Sequence, residues 1–203
     1  MASSEVAIVN LALARLGEPS LTSLGDDNEG GRLATRHYES LRDSVLRERQ
    51  WNCAVRRSTL SKLATAPTFG FTAAFSLPAD FIRLIQLENL SDDFAIENTT
   101  DGRVIVANLD SVNIVYIFRL TDVVKMDELL KQAIAARLAW VFAYKITGSR
   151  ELTRELAQEY QAVLAEAAHV DAIEAPVEEL LPSSWFEARV GQPESYKTRT
   201  RLT

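Results

Sequence analysis

The chain has 203 residues, of which 47% are apolar and 25% are charged, so it can bury the core of one domain. No apolar run reaches the roughly 20 residues that a membrane-spanning helix needs, and a single cysteine, Cys53, excludes an intrachain disulfide. The net charge of −6 argues against general nucleic-acid binding. Residues 1–5 lack a basic region followed by an apolar one, so we expect no signal peptide and no membrane partner.

Apolar residues recur at helical spacing in four long segments. The pattern predicts helices over about 4–16, 28–50, 126–146 and 150–173, and a short helix over 58–64. Ser4 can cap the first helix and Gly17 can end it. The first helix is apolar on nearly every side, which predicts that it is central or is covered by a second subunit.

Between Trp51 and Arg83 the apolar spacing changes from helical to alternating, which indicates a sheet. The alternation predicts five strands, over 69–76, 81–88, 94–97, 103–107 and 112–119. Trp51 is predicted to close the second helix as a structural residue. Pro78 and Asp80 are predicted to shape a turn between the first two strands, where the missing amide of proline does no harm.

These elements predict an α+β fold, in which a four-helix bundle carries an inserted small β-sheet domain and an extended C-terminal arm. The bundle would comprise residues 1–66 and 120–174, and the sheet would comprise residues 67–119. Residues 175–203 would form the arm.

Charge is spread unevenly along the chain. Seven arginines lie against three acids from Arg32 to Arg57, whereas six acids lie against one base from Asp171 to Glu194. This asymmetry is consistent with two interpretations to the same degree: surfaces that meet between copies or within one molecule, and local ion pairs on solvated helix faces. The candidates for contact with a neighbouring subunit or with a DNA channel are Arg32, Arg36, Arg42, Arg47 and Arg49.

Two further features concern single residues. Arg137 falls within the apolar arc of the third helix, so we expect it to be paired with a carboxylate or carbonyl as a structural residue. The arm over 175–203 is polar and interrupted by proline, yet it contains large aromatic side chains. This composition favours an anchor on a partner over folding back on its own domain. The candidate anchor residues are Trp185, Phe186, Arg189 and Tyr196.

No known catalytic or cofactor motif is present in the sequence. A glycine-rich phosphate loop, a paired-histidine or cysteine zinc motif and a nucleophile elbow are all missing. The sequence therefore predicts neither an enzyme nor a cofactor or metal site.

Three segments resemble the head-to-tail adaptors of tailed bacteriophages, the group that includes tail tubular protein A of short-tailed phages. The first segment is Ala7 to Gly17, which resembles the start of these proteins. The second is Trp51-Asn52-Cys53-Ala54, where Cys53 replaces the usual aromatic residue. The third and most recognisable is Leu77-Pro78-Ala79-Asp80-Phe81-Ile82-Arg83. The resemblance covers about residues 5–170.

This resemblance implies a structural protein of the virion neck that is assembled in the host cytoplasm. Its subunits would form a ring, commonly of twelve copies, between the portal protein and the next tail component, and DNA would pass without sequence-specific contact. The arm would reach onto the portal. Two alternatives stay open: a nucleic-acid-binding module that uses residues 32–57, and a homo-oligomeric scaffold of a cell.

Overall fold

The computed structural model describes residues 4–88, 93–100 and 102–174. The described residues from 4 to 172 form one compact unit. The described part contains four α-helices, six β-strands and two short 3₁₀ turns, at Asn52–Ala54 and Val123–Lys125. The helices are α1 Glu5–Arg15, α2 Glu29–Glu48, α3 Glu128–Thr147 and α4 Arg150–Glu174. The strands are β1 Val55–Lys62, β2 Ala73–Ser76, β3 Phe81–Leu87, β4 Phe94–Thr99, β5 Gly102–Ala107 and β6 Val112–Phe118.

Local caps fix the helix ends where the sequence predicted them. The hydroxyl of Ser4 accepts a hydrogen bond from the amide of Ala7 at 3.2 Å, and the side chain of Asn28 accepts one from Gly31 at 2.8 Å. Gly148 ends α3 with a left-handed backbone at φ +68°, a conformation that glycine adopts without strain. The four predicted long helices are therefore confirmed to within about two residues, the uncertainty of any boundary.

The six strands form one antiparallel sheet in the order β3-β6-β1-β2-β5-β4. The sheet curls, because side chains on distant strands meet across its inner face. The guanidinium of Arg103 on β5 lies 5.1 Å from the ring centroid of Phe81 on β3, although three strands separate them in the sheet. Buried residues from β1, β2, β3, β5 and β6 fill this curl with their own apolar core.

The predicted fold class, a four-helix bundle with a small inserted sheet, is wrong. The sheet has six strands and a core of its own, so it is a principal layer of the molecule. The helices pack with α3 at their centre, and their core extends onto the outer face of the sheet, where it includes Ile82 and Ile117. Helices and sheet therefore share one continuous apolar interface.

The sheet also begins earlier than predicted. Residues 55–62 form β1, which pairs with β6 on one side and β2 on the other, so the predicted helix over 58–64 is wrong. This strand lies in the range assigned to the helical body, 1–66. The boundary between helices and sheet is accordingly at Val55, directly after the turn that contains Asn52.

Candidate functional site

The segment between β2 and β3 forms a tied corner of the sheet. The amide of Phe81 donates to the carbonyl of Pro78 at 3.0 Å, which closes the turn. The carboxylate of Asp80 accepts hydrogen bonds from the guanidinium of Arg56 and, at 3.1 Å, from the hydroxyl of Tyr116. Burial and the nearby Asp80 carboxylate raise the pKa of Tyr116. Arg56 also stacks on Phe118 at 3.8 Å, so the corner joins β1, β6 and the start of β3.

A second group of charges connects the helices to the end of β6. The side chain of Arg42 is only 3% exposed and donates to Asp43 at 2.9 Å, and its other terminal nitrogen lies 3.9 Å from Glu5. Asp43 also accepts from Arg119 at 2.7 Å. The carboxylate of Asp43 thus binds two guanidinium groups, that of Arg42 on α2 and that of Arg119, which directly follows β6.

Arg83, which the sequence placed only at the end of a motif, lies on β3 beside Arg47 of α2. Arg47 donates to the carbonyl of Ile82 at 2.7 Å. Arg83 makes no hydrogen bond or ion pair with the described residues, and its Nε is buried without a partner. Burial, followed by the charge of Arg47, lowers the pKa of Arg83. Arg83 thus lies beside a second guanidinium group and pairs with no carboxylate among the described residues, while its partial burial disfavours the charged form.

A third cluster holds α4 against α2 and α3. The guanidinium of Arg137 lies 4.4 Å from the ring of Trp140 and 5.2 Å from that of Tyr160, and it is 3.9 Å from the carboxylate of Glu48. Tyr160 donates to Glu48 at 2.5 Å. Burial is the main cause that raises the pKa of the Tyr160 hydroxyl, and the hydrogen bond to Glu48 adds to it. The carboxylate expected beside Arg137 therefore comes from the same chain.

The other predicted arginines lie at two places: Arg32 and Arg36 line one depression in the first half of α2, and Arg49 follows the end of this helix. Arg32 pairs with Asp27 at 2.8 Å at the start of α2, and Arg49 donates to the carbonyl of Leu164 on α4 at 3.1 Å. Arg36 is exposed and has no hydrogen bond or ion pair with a described residue. The five candidates for subunit or DNA contact thus have different partners, and four of them have acceptors within the chain.

Trp51 lies buried at the joint between α2 and β1. Its side chain is 2% exposed, and the indole Nε1 donates to the carbonyl of Val45 at 3.0 Å. Ala54, three residues later, is fully buried in the helical core. The predicted anchor residues Trp185, Phe186, Arg189 and Tyr196 lie outside the described residues.

The described part of the chain contains no group of three or more potential metal ligands, and none of its helices is long and apolar enough to span a membrane. A shallow depression of about 420 Å³ lies on the sheet beyond the helices and is lined by residues that include Arg57, Gln86, Glu88 and Asn113. The chain matches no protein-family model and no curated protein.

Proposed function

We propose that the protein is a structural component of a tailed bacteriophage, a head-to-tail adaptor that forms a ring between the portal protein and the next tail component. The observation that carries the proposal is the order and spacing of three segments: Ala7 to Gly17, Trp51 to Ala54, and Leu77 to Arg83. In the fold these segments are α1, the joint between helices and sheet, and the tied corner before β3. The proposed site of action is the virion neck.

The proposed mechanism is passive. Neighbouring copies make heterologous contacts that close into a ring, commonly of twelve copies in such adaptors, and DNA passes through its centre. The arm over 175–203 binds the portal, with Trp185 and Phe186 as apolar anchors. The clusters around Asp80, Asp43 and Glu48 have structural roles in this mechanism, since each joins different elements of the chain.

Exposed apolar side chains on the helices support an assembling protein. Leu11 on α1 is 47% exposed, and Val141 and Tyr144 on α3 are 40% and 54% exposed. Single exposed apolar residues are normal on a protein surface. On α3, however, they lie on the central helix, whose other apolar residues are mostly buried in the core between the helices. A neighbouring copy in a ring would cover such positions.

Docking to purified portal protein tests the proposal. The full chain is compared with a chain that ends at Pro176 and with the double variant Trp185→Ala, Phe186→Ala. We expect both altered chains to lose stable portal binding, measured by co-sedimentation, because aromatic anchors dominate such contacts. Substitution of Lys197 and Arg199 by alanine is the matched control in the same segment and should leave most binding intact. Equal binding by the chain that ends at Pro176 would exclude the arm as the anchor, and absence of binding by the full chain would count against the adaptor role itself.

The contacts give no support to the nucleic-acid-binding alternative. Of the seven arginines from Arg32 to Arg57, five have acceptors within the chain: Arg32, Arg42, Arg47, Arg49 and Arg56. Guanidinium groups that are held in this way are less available to phosphates.

A further inference from the structure

One face of the sheet carries a basic surface that the helices only partly cover. Arg83 on β3, Ile117 on β6 and Val55 on β1 lie side by side in register, so their side chains share the face that packs on the helices. Arg57 lies two residues beyond Val55 and therefore shares this face. Arg57 is exposed and has no hydrogen bond or ion pair with the described residues. We call Arg47, Arg57 and Arg83 the basic surface.

None of the three arginines of the basic surface forms an ion pair with a described residue. Glu88 lines the adjacent depression, but its carboxylate binds the side-chain amide of Asn113 at 2.6 Å and forms no ion pair with a described arginine. The Nε of Arg83 is buried and has no hydrogen-bond partner. The two terminal nitrogens of Arg83 are not buried. A carboxylate that reached those terminal nitrogens would offset the repulsion between Arg47 and Arg83.

The outward side of α4 provides acids without partners. Glu151, Glu155 and Glu166 are exposed, and none of them forms an ion pair with a described residue. Glu159, on the same helix, pairs instead with Arg15 at 3.0 Å. We call Glu151, Glu155 and Glu166 the acidic surface.

Helix geometry keeps the two surfaces apart within one molecule. Arg47 reaches the sheet through Ile82, whereas Arg49 reaches α4 through Leu164. Glu48, the residue after Arg47 in α2, accepts a hydrogen bond from Tyr160 of α4. Adjacent residues on an α-helix point about 100° apart, so the sheet and α4 lie on different sides of the end of α2. The acidic surface faces away from α2, since the opposite side of α4 contributes Leu156 and Leu164 to the core.

We propose that the basic surface of one copy binds the acidic surface of a second copy. The two surfaces have opposite charge and lie on different sides of the molecule, so the contact is heterologous and can repeat from copy to copy. It is the subunit contact of the adaptor ring, and in that respect it rests on the proposed function. Arg83 and Arg57 receive carboxylates of α4, Glu155 among them.

Sedimentation velocity of the full chain tests the contact, at concentrations up to about 0.5 mM, where interactions with millimolar Kd are detectable. We expect concentration-dependent association at about 50 mM salt that weakens at about 500 mM, since salt screens exposed charges. Arg83→Glu, Arg57→Glu and Glu155→Arg should each weaken association about tenfold or more by placing like charges opposite one another. Arg57→Glu changes an exposed side chain and keeps the test valid if Arg83→Glu fails to fold.

A mixture of two charge-reversed variants provides the most specific test of the contact. A mixture of Arg57→Glu and Glu155→Arg chains should form pairs, because the altered basic surface of one is complementary to the altered acidic surface of the other. Arg36→Glu and Glu39→Arg are matched controls on the exposed side of α2, outside both surfaces, and should associate like the unaltered chain.

An unaltered chain that stays monomeric at low salt, or a mixture that fails to recover association, would overturn the contact. These results are distinguishable from failure of the adaptor role. If the contact is wrong, the unaltered chain can still bind the portal. If the role is wrong, the charge variants still change self-association while portal binding is absent.

Discussion

At the scale of single residues, Asp80 is the side chain on which the corner before β3 depends. It accepts hydrogen bonds from Arg56 and Tyr116, which come from two other strands. We expect Asp80→Asn to lower the free energy of unfolding by about 1–2 kcal/mol, because a charge-assisted hydrogen bond is lost at a partly exposed site. Urea unfolding followed by tryptophan fluorescence measures this change.

Asp110→Asn provides the matched control for Asp80. Asp110 lies 3.6 Å from Lys62, and its side chain is fully exposed. An isolated surface ion pair contributes little to stability, so this change should have almost no effect. If the two variants were equally stable, the corner would owe nothing to the Asp80 carboxylate.

Tyr160 makes the stability of the folded protein decrease at alkaline pH. Its pKa is raised in the folded protein by burial and by Glu48, so the unfolded chain loses the tyrosine proton first as pH increases. The contribution of Tyr160 to the free energy of unfolding is therefore complete below about pH 10, and it decreases as pH rises beyond this value. Tyr160→Phe should flatten the decline above about pH 10, measured by urea unfolding at several pH values.

Buried Tyr38 and partly buried Tyr116 also have raised pKa values, so part of the alkaline decline should remain in the Tyr160→Phe variant. Tyr144→Phe is the control, since Tyr144 is 54% exposed. A decline that is identical in the Tyr160→Phe and Tyr144→Phe chains would contradict the assigned cause.

The sequence indicated which residues of the candidate site are structural but not which partners they have. Arg137 stands in an apolar arc, so a local rule predicts that it needs a carboxylate. That the carboxylate belongs to Glu48 depends on the packing of α2 against α3, which no local pattern shows. Arg83 was missed for the same reason, because its environment is created by Arg47 from a distant helix.

At the scale of elements, periodicity located the helices and most strands but missed β1. Only Leu60 is buried among residues 55–62, so the strand has no apolar alternation to detect. It exists because β6 and β2 flank it and satisfy its backbone groups. The predicted bundle was wrong as a consequence, since β1 lies within the six-stranded sheet and the prediction assigned its residues to the helical body. Non-local pairing of this kind cannot be read from a single segment.

The edge strand β4 is a second feature of this scale. Among the described strands it pairs only with β5, it has no register shift, and it exposes Phe94 and Ile96 at 42% and 39%. The other edge, β3, has irregular register and lies against α2, which discourages further pairing. We expect Ile96→Lys to change the free energy of unfolding by less than about 0.5 kcal/mol while it slows aggregation. Light scattering at elevated temperature, together with urea unfolding, measures both effects.

Asn98→Lys is the control for Ile96→Lys, because it adds the same charge to β4 without removing an apolar side chain. It should slow aggregation less than Ile96→Lys does. Equal protection by both variants would assign the effect to net charge, and unchanged aggregation in both would exclude β4 as an association site.

At the scale of the whole molecule, the distribution of charge decides how the isolated protein meets DNA. The net charge is −6, and of the arginines from 32 to 57 only Arg36 and Arg57 lack an acceptor among the described residues. We expect a Kd above about 0.1 mM for duplex DNA at physiological salt, with a log–log salt slope no steeper than about −2, since each phosphate contact contributes about −0.9. Fluorescence anisotropy over a range of salt concentrations measures both quantities. The double variant Arg36→Ala, Arg57→Ala should abolish the remaining binding. A slope near −5 would require arginines such as Arg47 and Arg49 to leave their carbonyl acceptors for phosphates, and it would favour a DNA-binding module over a ring that lets DNA pass.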